Sequence, residues 1–505
     1  MTGGRALRAM FGGLLLSGLC GGVAPAQSLA IDIALPPPIV APYVDPASVS
    51  QPFPGARAEG LLGFRGNPTR SYYGTGPLPP RAPKVLWRVG PFCGPSADEN
   101  GVRDWCGSGW TGQPVIWDRG EATEVILGAY DHRVHFLDAA TGRAVRAPFR
   151  TGDIIKGSVA LDPTGAPILY TGSRDNYLRA LRLDETRAVE LWRLSAVTGD
   201  GIWNNDWDAS PLILGDILFT GSENSWFYTV KLNRGHDAAG RPTVAPEVIN
   251  RIPGFTPELF ARIGDRMVSI ENSAMAIGGE VYFANSGGLV QGYSMAALLA
   301  GATRAEALTF SYFAGDDIDA SLIGTVDGRI IVAMEDERRT SRDKARSGDL
   351  FMLDPGRPED PLVWALDISG RVGGKGGLWA TPALSGDYLY VPTHVGGLLT
   401  VELATGRVTS ELPLPWHGWS SPVAVGGMLL VATCEGDLIA YDLDNPAHPT
   451  ERWRFRPPGA GCWESTPAIW EGVIYVGNRN GYIYAIGPSG PEDHQPVLIA
   501  EARLQ

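Results

Sequence analysis

The most reactive side chains in this 505-residue sequence belong to its five cysteines. Cys20 lies in an N-terminal apolar segment, and the other four are Cys93, Cys106, Cys434 and Cys462. A zinc site needs closely spaced pairs of cysteine or histidine, and none of these four cysteines belongs to such a pair. An even number of cysteines in an exported chain instead predicts two disulfides.

Five tryptophans recur at equivalent positions of the repeats, and their rings could pack or bind a ligand. Each lies three or four residues before a proline that begins a strand-like segment, at Trp110, Trp207, Trp379, Trp419 and Trp463. Large rings at equivalent positions can pack between structural repeats, or they can line a pocket for a flat or sugar-like ligand. The sequence leaves both interpretations open.

Other common catalytic motifs are absent. The chain has no His-Glu-x-x-His zinc motif, no Gly-x-Ser-x-Gly nucleophile elbow, no Gly-Lys-Ser/Thr phosphate loop and no Cys-x-x-Cys-His haem motif. His132 and His394 are expected to be ordinary surface residues. The formal net charge of −13 makes nucleic acid and anionic membrane surfaces poor partners.

Short strands, repeated along the chain, must position these residues. Residues 465–486 contain two strand-like runs joined by a Glu-Gly turn, and a third run after the turn at 478–481. The same pattern starts again at Ala380 and at Ser420. A repeat of about 40–60 residues with several strands is typical of a β-propeller.

We therefore predict an all-β, eight-bladed β-propeller, with seven blades as the alternative. Several repeats end in an outer strand that carries a tryptophan, at Trp192, Trp364 and Trp453. The last repeat stops at Ile486 without such a strand, whereas the segment around Trp87 has the expected sequence. We expect this N-terminal strand to pair into the C-terminal blade, because closing the ring removes free sheet edges.

The N-terminus has the pattern of a secretory signal peptide over residues 1–26. Arg5 and Arg8 precede an apolar run and a small-residue cleavage site before Gln27. Lipidation at Cys20 is the alternative. This pattern predicts a periplasmic or secreted protein.

Three further segments follow the signal peptide. Residues 27–60 are rich in proline and are expected to form an extended tether without packed structure. The propeller is predicted over residues 61–490, and residues 491–505 form a C-terminal tail. No later segment is long and apolar enough for a transmembrane helix, and we expect a monomer.

Strands alternate in direction from the channel of a propeller outward. Loops that lead into a blade therefore lie on the same face as loops between its second and third strands, and we call this face the top. The four cysteines fall on the top, which favours two pairs: Cys93–Cys106 and Cys434–Cys462. The five tryptophans fall there too. Two insertions also fall on the top: residues 235–270 and the charged run 335–344. The charged run is expected to be a solvated loop.

Parts of the repeats resemble a known family. The segments 134–142, 184–192 and 398–406 are similar to the pyrroloquinoline quinone (PQQ) repeat, in which a blade ends in Ala-x-Asp-x-x-Thr-Gly-x-x-x-Trp. The resemblance covers about residues 60–487 and implies the quinoprotein alcohol dehydrogenase-like propeller fold. That superfamily also includes non-enzymatic members such as outer-membrane assembly lipoproteins.

For an enzyme of that superfamily, the resemblance implies PQQ, a calcium ion held by carboxylate and amide oxygens, and a catalytic aspartate. The segment 203–208, Trp-Asn-Asn-Asp-Trp-Asp, is similar to the Trp-Asp-rich segment of those enzymes, with Asp206 and Asp208 as candidate catalytic residues. The candidate metal ligands are Asp206, Asp208, Glu223 and Asn272, with Asn224 and Asp317 as further oxygen donors. The alternative is that Asp206 and Asp208 cap the start of a strand. The five tryptophans would be the candidate cofactor-binding residues.

Two functions follow from the sequence. We favour a cell-envelope binding or scaffold protein that presents its top face to a protein or a saccharide and has no assigned cofactor. The alternative is a calcium- and PQQ-dependent dehydrogenase that oxidises an alcohol or a sugar.

Overall fold

Eight antiparallel sheets arranged around a central channel form the body of the protein. The computed structural model describes residues 40–98, 101–109, 112–338 and 346–489. Within these residues eight sheets have four or five strands each, and two more are two-stranded hairpins. The eight-bladed β-propeller is therefore confirmed, and the seven-bladed alternative is excluded.

The blades follow one another in chain order, each from the channel outward. Blade one contains Val115–Asp118, Thr123–Ala129, Arg133–Asp138 and Phe149–Arg150, with Glu59–Leu61 added on its channel side. Blade two contains Ala160–Leu161, Ile168–Thr171, Tyr177–Leu183 and Ala188–Ser195. Blade three contains Leu212–Leu214, Ile217–Gly221, Trp226–Lys231 and Glu247–Pro253. Blade four contains Met275–Ile277, Glu280–Phe283, Leu289–Ser294 and Leu308–Phe313.

The second half of the ring repeats the arrangement. Blade five contains Ile323–Gly324, Ile330–Ala333, Leu350–Leu353 and Leu362–Leu366. Blade six contains Ala383–Ser385, Tyr388–Pro392, Gly397–Glu402 and Val408–Pro413. Blade seven contains Val423–Val425, Met428–Ala432, Leu438–Asp442 and Thr450–Phe455. Blade eight contains Ala468–Trp470, Val473–Gly477, Ile483–Gly487 and the N-terminal strand Lys84–Val89.

The remaining elements lie in the connections. The two hairpins pair Cys93–Asp98 with Gly101–Cys106 and Arg234–His236 with Pro242–Val244. The α-helices are Pro257–Ile263, Met295–Leu299 and Arg304–Ala307, and a 3-10 helix spans Pro46–Ser48. Among the described residues, no helix combines the length and the apolar character needed to cross a membrane.

The N-terminal strand closes the ring as predicted. Lys84–Val89 pairs antiparallel with Ile483–Gly487, and Trp87 lies opposite Ala485. The N-terminal strand thus covers the side of Ile483–Gly487 that would otherwise be free to recruit another strand.

The Thr-Gly and Trp positions of the repeat have a common structural role. The Trp364 indole of blade five donates to the Leu403 carbonyl of blade six at 2.9 Å. Its ring covers Gly406, where an added Cβ would lie only 2.6 Å from ring carbons and where φ is +70°. The same contact joins blades eight and one, where Trp87 covers Gly142. The repeat therefore needs glycine at this turn because an indole of the preceding blade occupies the space.

Hydroxyl groups connect neighbouring blades near the top of their inner strands. In each link a backbone N–H of one blade donates to a Ser or Thr side chain of the next, at 2.8–3.0 Å: Gln113 to Ser158, Ser210 to Ser273, Ser273 to Ser321, Ser321 to Thr381, and Thr381 to Ser421. These links satisfy backbone donors that the short inner strands leave unpaired. They also fix the height at which each loop enters its blade.

An N-terminal segment, residues 59–75, fills the central channel, and we call it the plug. Its contacts reach all eight blades. In blades one to four it meets the first strand through Glu59–Leu61, then Leu161 through Leu62, Ser210 through Phe64, and Ala276 through Pro68. In blades five to eight it meets Gly324 through Thr69, Thr381, Pro382 and Pro422 through Arg65, and Ile469 through Gly74. Arg65 and Arg70 are fully buried and donate to backbone carbonyls. The plug gives the top mouth of the channel a floor.

The expected tether is wrong for the described part of residues 27–60. Val44 pairs with Gly278 of blade four, and Val49 is buried in the core between blades four and five. Apolar residues among the prolines explain this packing, because each buried side chain stabilises the ordered segment. Residues 27–39 lie outside the described residues.

The insertion predicted over residues 235–270 is also different. Glu247–Pro253 is the outer strand of blade three, so the inserted hairpin lies between the third and fourth strands, on the face opposite the top. Arg234 confirms this placement, since it donates to the Gly215 carbonyl in the turn between the first and second strands. Only the stretch from residue 254 to 271, with helix Pro257–Ile263, lies on the top.

Candidate functional site

Two adjacent positions in each loop that enters a blade decide what surrounds the top mouth. Both are counted back from the Ser or Thr at the position of the linking hydroxyl, which is Ser210 in blade three and Thr466 in blade eight. The residue three positions before the hydroxyl is buried in blades two to six and in blade eight. These residues are Ile155, Trp207, Ile270, Ile318, Leu378 and Trp463. The residue two positions before it lines the mouth: Lys156, Asp208, Glu271, Asp319, Trp379, Trp419 and Glu464. Neighbouring residues in an extended chain point to opposite sides, so one step of sequence exchanges core for mouth.

This alternation separates the predicted tryptophans. Trp207 and Trp463 are 1% and 0% exposed, so their rings pack between blades and do not face the mouth. Trp207 packs on Tyr228 and donates to the Asn176 carbonyl at 3.1 Å. Of the two interpretations that the sequence left open, packing between blades therefore applies to these two rings. Trp110 lies outside the described residues.

Trp379 and Trp419 form part of a cluster that we call the aromatic platform, together with His394, Trp416 and His417. The rings of Trp379 and Trp419 stack with centroids 5.2 Å apart, and His417 stacks on Trp419 at 4.8 Å. Trp416 packs against His417 at 4.7 Å and is 50% exposed. The platform lies on the top rim of blades six and seven.

Hydrogen bonds fix the orientation of both histidines in the platform. The Trp419 indole donates to His394 Nδ1 at 3.0 Å, which assigns the His394 proton to Nε2. His417 Nδ1 lies 2.6 Å from the His394 carbonyl and must donate to it. Burial, and then the neighbouring His417, lower the pKa of His394 to about 4, so this ring is neutral at physiological pH. His394 is therefore a packed residue rather than an ordinary surface histidine.

Both predicted disulfides are present in the structure. Cys93 pairs with Cys106 in the hairpin before blade one, and Cys434 pairs with Cys462 on the top of blades seven and eight. The Cys434 N–H donates to the His417 carbonyl at 3.0 Å, so the second disulfide supports the loop that carries the aromatic platform.

The opposite side of the mouth is acidic. Asp206, Asp208 and Glu223 are all buried, and they bring three carboxylate oxygens within 4.8 Å of one another. Lys156 lies among them: its ammonium contacts Asp208 and lies 3.3 Å from Glu223 and 3.9 Å from Asp206. Arg174 is 2.9 Å from Asp206. Sequence reasoning brought the three acids together but missed both cations.

The protonation of these groups reflects burial and mutual repulsion. Burial, and then the charge of Glu223, raise the pKa of Asp206 to about 8. Burial likewise raises the pKa of Glu223 to about 8, against the opposing effect of Lys156. Burial alone would lower the pKa of Lys156, but the surrounding carboxylates, Asp208 first, raise it well above its usual value. Lys156 is therefore the permanent positive charge of this cluster.

The predicted calcium and PQQ site does not fit this arrangement. A calcium ion needs six to eight oxygen ligands, but an ammonium group already occupies the point where the three carboxylates meet. The Asn272 side chain is committed to the backbone of Ala284 and Ile318. Asn224 is committed in the same way, to the Ala196 carbonyl and the Tyr228 hydroxyl. We therefore derive no reaction through a quinone.

Four more carboxylates continue the acidic side along blades four and five, and we call them the acidic pocket: Glu271, Asp317, Asp319 and Glu335. Glu335 begins the charged run that was expected to be solvated, yet it is 2% exposed. Its N–H donates to the Asp317 carbonyl at 2.9 Å, which holds it inside the mouth. The expectation is thus wrong for Glu335, and residues 339–345 lie outside the described part of the chain.

A positional signal in the sequence could have identified the mouth residues. Lys156, Asp208, Glu271 and Asp319 each stand two residues before a Ser that precedes an inner strand, as Trp379 does before Thr381. Aligning the repeats on that hydroxyl would have placed the lysine among the acids. No such signal existed for Arg174 or Glu335, which come from loops between second and third strands.

A comparison of the sequence with known protein families supports the assignment of the repeat. Residues 346–503 match a family model described as the outer membrane protein assembly factor BamB, a PQQ-type repeat. This match confirms the PQQ-like repeat of a β-propeller in that part of the chain. No curated protein sequence matches the chain.

Solved structures that are similar to the chain include the following two. The crystal structure of BamB from Moraxella catarrhalis has 14% identity and a TM-score of 0.48, covering 74% of this chain and 93% of that one. The computationally designed Ika8 protein has 12% identity and a TM-score of 0.48, covering 72% of this chain and 92% of that one.

Proposed function

We propose that this propeller is a binding or scaffold protein of the cell envelope that holds a protein partner on its top face. The observation that carries the proposal is the aromatic platform. It places an indole that is half exposed, Trp416, above a stacked set of rings that fixes its position. Tryptophan is strongly enriched among the residues that dominate binding energy at protein interfaces.

Rigidity of the platform supports recognition of a partner. The two indoles, the two histidines and the nearby disulfide are joined by stacking and by hydrogen bonds. A surface ordered before binding loses little side-chain entropy when the partner arrives. The plug also supports a binding function, because it fills the channel and gives the mouth a closed floor on which a partner can rest.

The proposed location follows from the disulfides and the predicted signal peptide. Disulfides persist in oxidising compartments such as the periplasm or the extracellular space. The family model that matches residues 346–503 describes an outer membrane assembly factor, and a comparable envelope role is what we propose here. Intact-mass measurement of the mature chain tests this location: an N-terminus at Gln27 supports cleavage, a lipid on Cys20 supports anchoring, and an unprocessed chain contradicts export.

Site-specific photo-crosslinking tests the binding face. A benzophenone amino acid is placed at Trp416 on the top, or at Val326, which is 65% exposed in the turn between the first two strands of blade five, on the opposite face. We expect an adduct of defined mass from position 416, none from position 326, and a weaker adduct when Trp419→Ala is combined with the first probe. Equal adducts at both positions, or none at position 416, would contradict the proposal.

A further inference from the structure

The acidic pocket brings together more carboxyl groups than the cations among the described residues around it can pair. Glu271, Asp317, Asp319 and Glu335 have no ion pair within 4.0 Å in the described ranges. Lys156 pairs with the three neighbouring acids, and Arg338 lies 3.7 Å from Asp265. Buried carboxylates without a counter-charge are expensive to keep ionised, so such a pocket holds protons or accepts a cation.

Individual atoms in the pocket lack partners. Asp317 Oδ1 and Asp319 Oδ1 are buried and accept no hydrogen bond from any described residue. The Glu335 side chain is 98% buried, and its backbone N–H is bonded to the Asp317 carbonyl. Burial, and then the charges of Asp319 and Asp317, raise the pKa of Glu335 to about 12. Native proteins rarely leave buried acceptors unsatisfied.

The arrangement fits an organic cation better than a metal ion. Among the described residues, only Asp206, Asp208 and Glu223 bring three ligand oxygens within 4.8 Å of one another. The acidic pocket is wider than such a coordination shell. At the neighbouring position, the same mouth already accepts the ammonium of Lys156. Across the blade boundary, Glu335 bridges to Gly377, two residues before Trp379, so the backbone that carries the aromatic platform adjoins the pocket.

We propose that the acidic pocket binds the ammonium or guanidinium group of a lysine or arginine side chain on the protein partner of the top face. This inference rests on the proposed function and adds to it the chemistry of the partner. The partner would place a basic side chain over blades four and five while its apolar part covers the aromatic platform over blades six and seven. Charge-assisted hydrogen bonds would then satisfy the orphaned acceptors.

Binding of a lysine peptide to the full chain tests the inference. The probe is the blocked tripeptide acetyl-Gly-Lys-Gly-amide, and its control carries Nε-acetyl-lysine, which is neutral. Saturation-transfer NMR measures both at pH 7 against the wild type, Glu335→Gln and Asp319→Asn. The matched control variant is Glu435→Gln, which removes an exposed carboxylate of the top face far from the pocket.

We expect the lysine peptide to bind the wild type at least tenfold more tightly than the acetylated peptide. Glu335→Gln and Asp319→Asn should each weaken binding about tenfold or more, whereas Glu435→Gln should leave it unchanged. Thermal melting checks that both pocket variants fold, and we expect no loss, because each change removes a buried repulsion.

Three results would overturn the inference: equal binding of the acetylated peptide, unchanged binding by both pocket variants, or displacement of the peptide by millimolar calcium chloride, which would indicate a metal site. A further variant separates this inference from the proposed function. Trp416→Ala should leave peptide binding intact, since it changes only the platform. Failure of the peptide to bind, with crosslinking at position 416 preserved, would refute the cation site alone.

Discussion

Replacing Lys156 by methionine removes the positive charge on which the acidic cluster of blades two and three depends. Lys156 is the only described ion-pair partner of Asp208 and Glu223, whereas Asp206 keeps Arg174. Methionine preserves most of the apolar chain, so the substitution isolates the charge. Removing one member of a buried ion pair destabilises a fold by about 3–5 kcal/mol.

The size of the effect should depend on pH, and its sign follows from proton linkage. Burial raises the pKa of Asp206 and Glu223 in the folded protein, so the folded state retains protons that the unfolded chain has released. The associated stability is fully present below the unfolded pKa, near 4, and is lost as pH rises through the folded pKa. Without Lys156 these carboxyl groups bind protons still more tightly. Because both groups are already protonated in the wild type below about pH 8, the variant retains extra protons only above that pH, and each of them increases the loss by about 1.4 kcal/mol per pH unit.

Urea denaturation followed by tryptophan fluorescence at pH 6, 7, 8, 9 and 10 measures this difference. We expect the loss in Lys156→Met to stay constant from pH 6 to pH 7 and, with one extra proton retained, to grow above pH 8 by about 1.4 kcal/mol per pH unit, or about 3 kcal/mol by pH 10. Lys375→Met is the matched control, because Lys375 is exposed on the same face. A loss that is the same at pH 7 and pH 10, or no larger than that of Lys375→Met, would refute the role assigned to Lys156.

Two further substitutions test the packing of the ring. Gly406→Ala places a Cβ 2.6 Å from the Trp364 ring at a φ of +70°, and we expect it to destabilise the protein by about 1–3 kcal/mol. Gly370→Ala, where a Cβ meets nothing within 4 Å, should leave the melting temperature unchanged, and equal melting of both variants would contradict the docking contact. Arg65→Met leaves three carbonyls of blades six and seven without their donor, and we expect a loss of about 3 kcal/mol. It should also speed proteolysis within residues 40–60, and an unchanged cleavage rate would indicate that the plug is held by other contacts.

The sequence by itself determined the architecture, because the repeat is written locally. Alternating apolar residues, Gly turns and the recurring Thr-Gly and Trp positions specify strands and the contact between blades. The incomplete last repeat and the strand around Trp87 predicted the closure, which the pairing with Ile483–Gly487 confirms. Loop order placed all four cysteines on one face, which made the two pairs plausible, and the structure contains both.

Tertiary structure decided everything that depends on which side chains meet across blades. Trp207 and Trp379 look equivalent in the sequence, yet a shift of one residue relative to the linking hydroxyl buries the first and places the second at the mouth. Lys156 meets Asp208 and Glu223 only because blades two and three are neighbours in the ring. Arg65 reaches carbonyls more than 300 positions away, through a plug without any repeat pattern of its own. Local periodicity cannot encode such contacts, because they are set by closing the ring, and the charges and rings at the mouth depend on them.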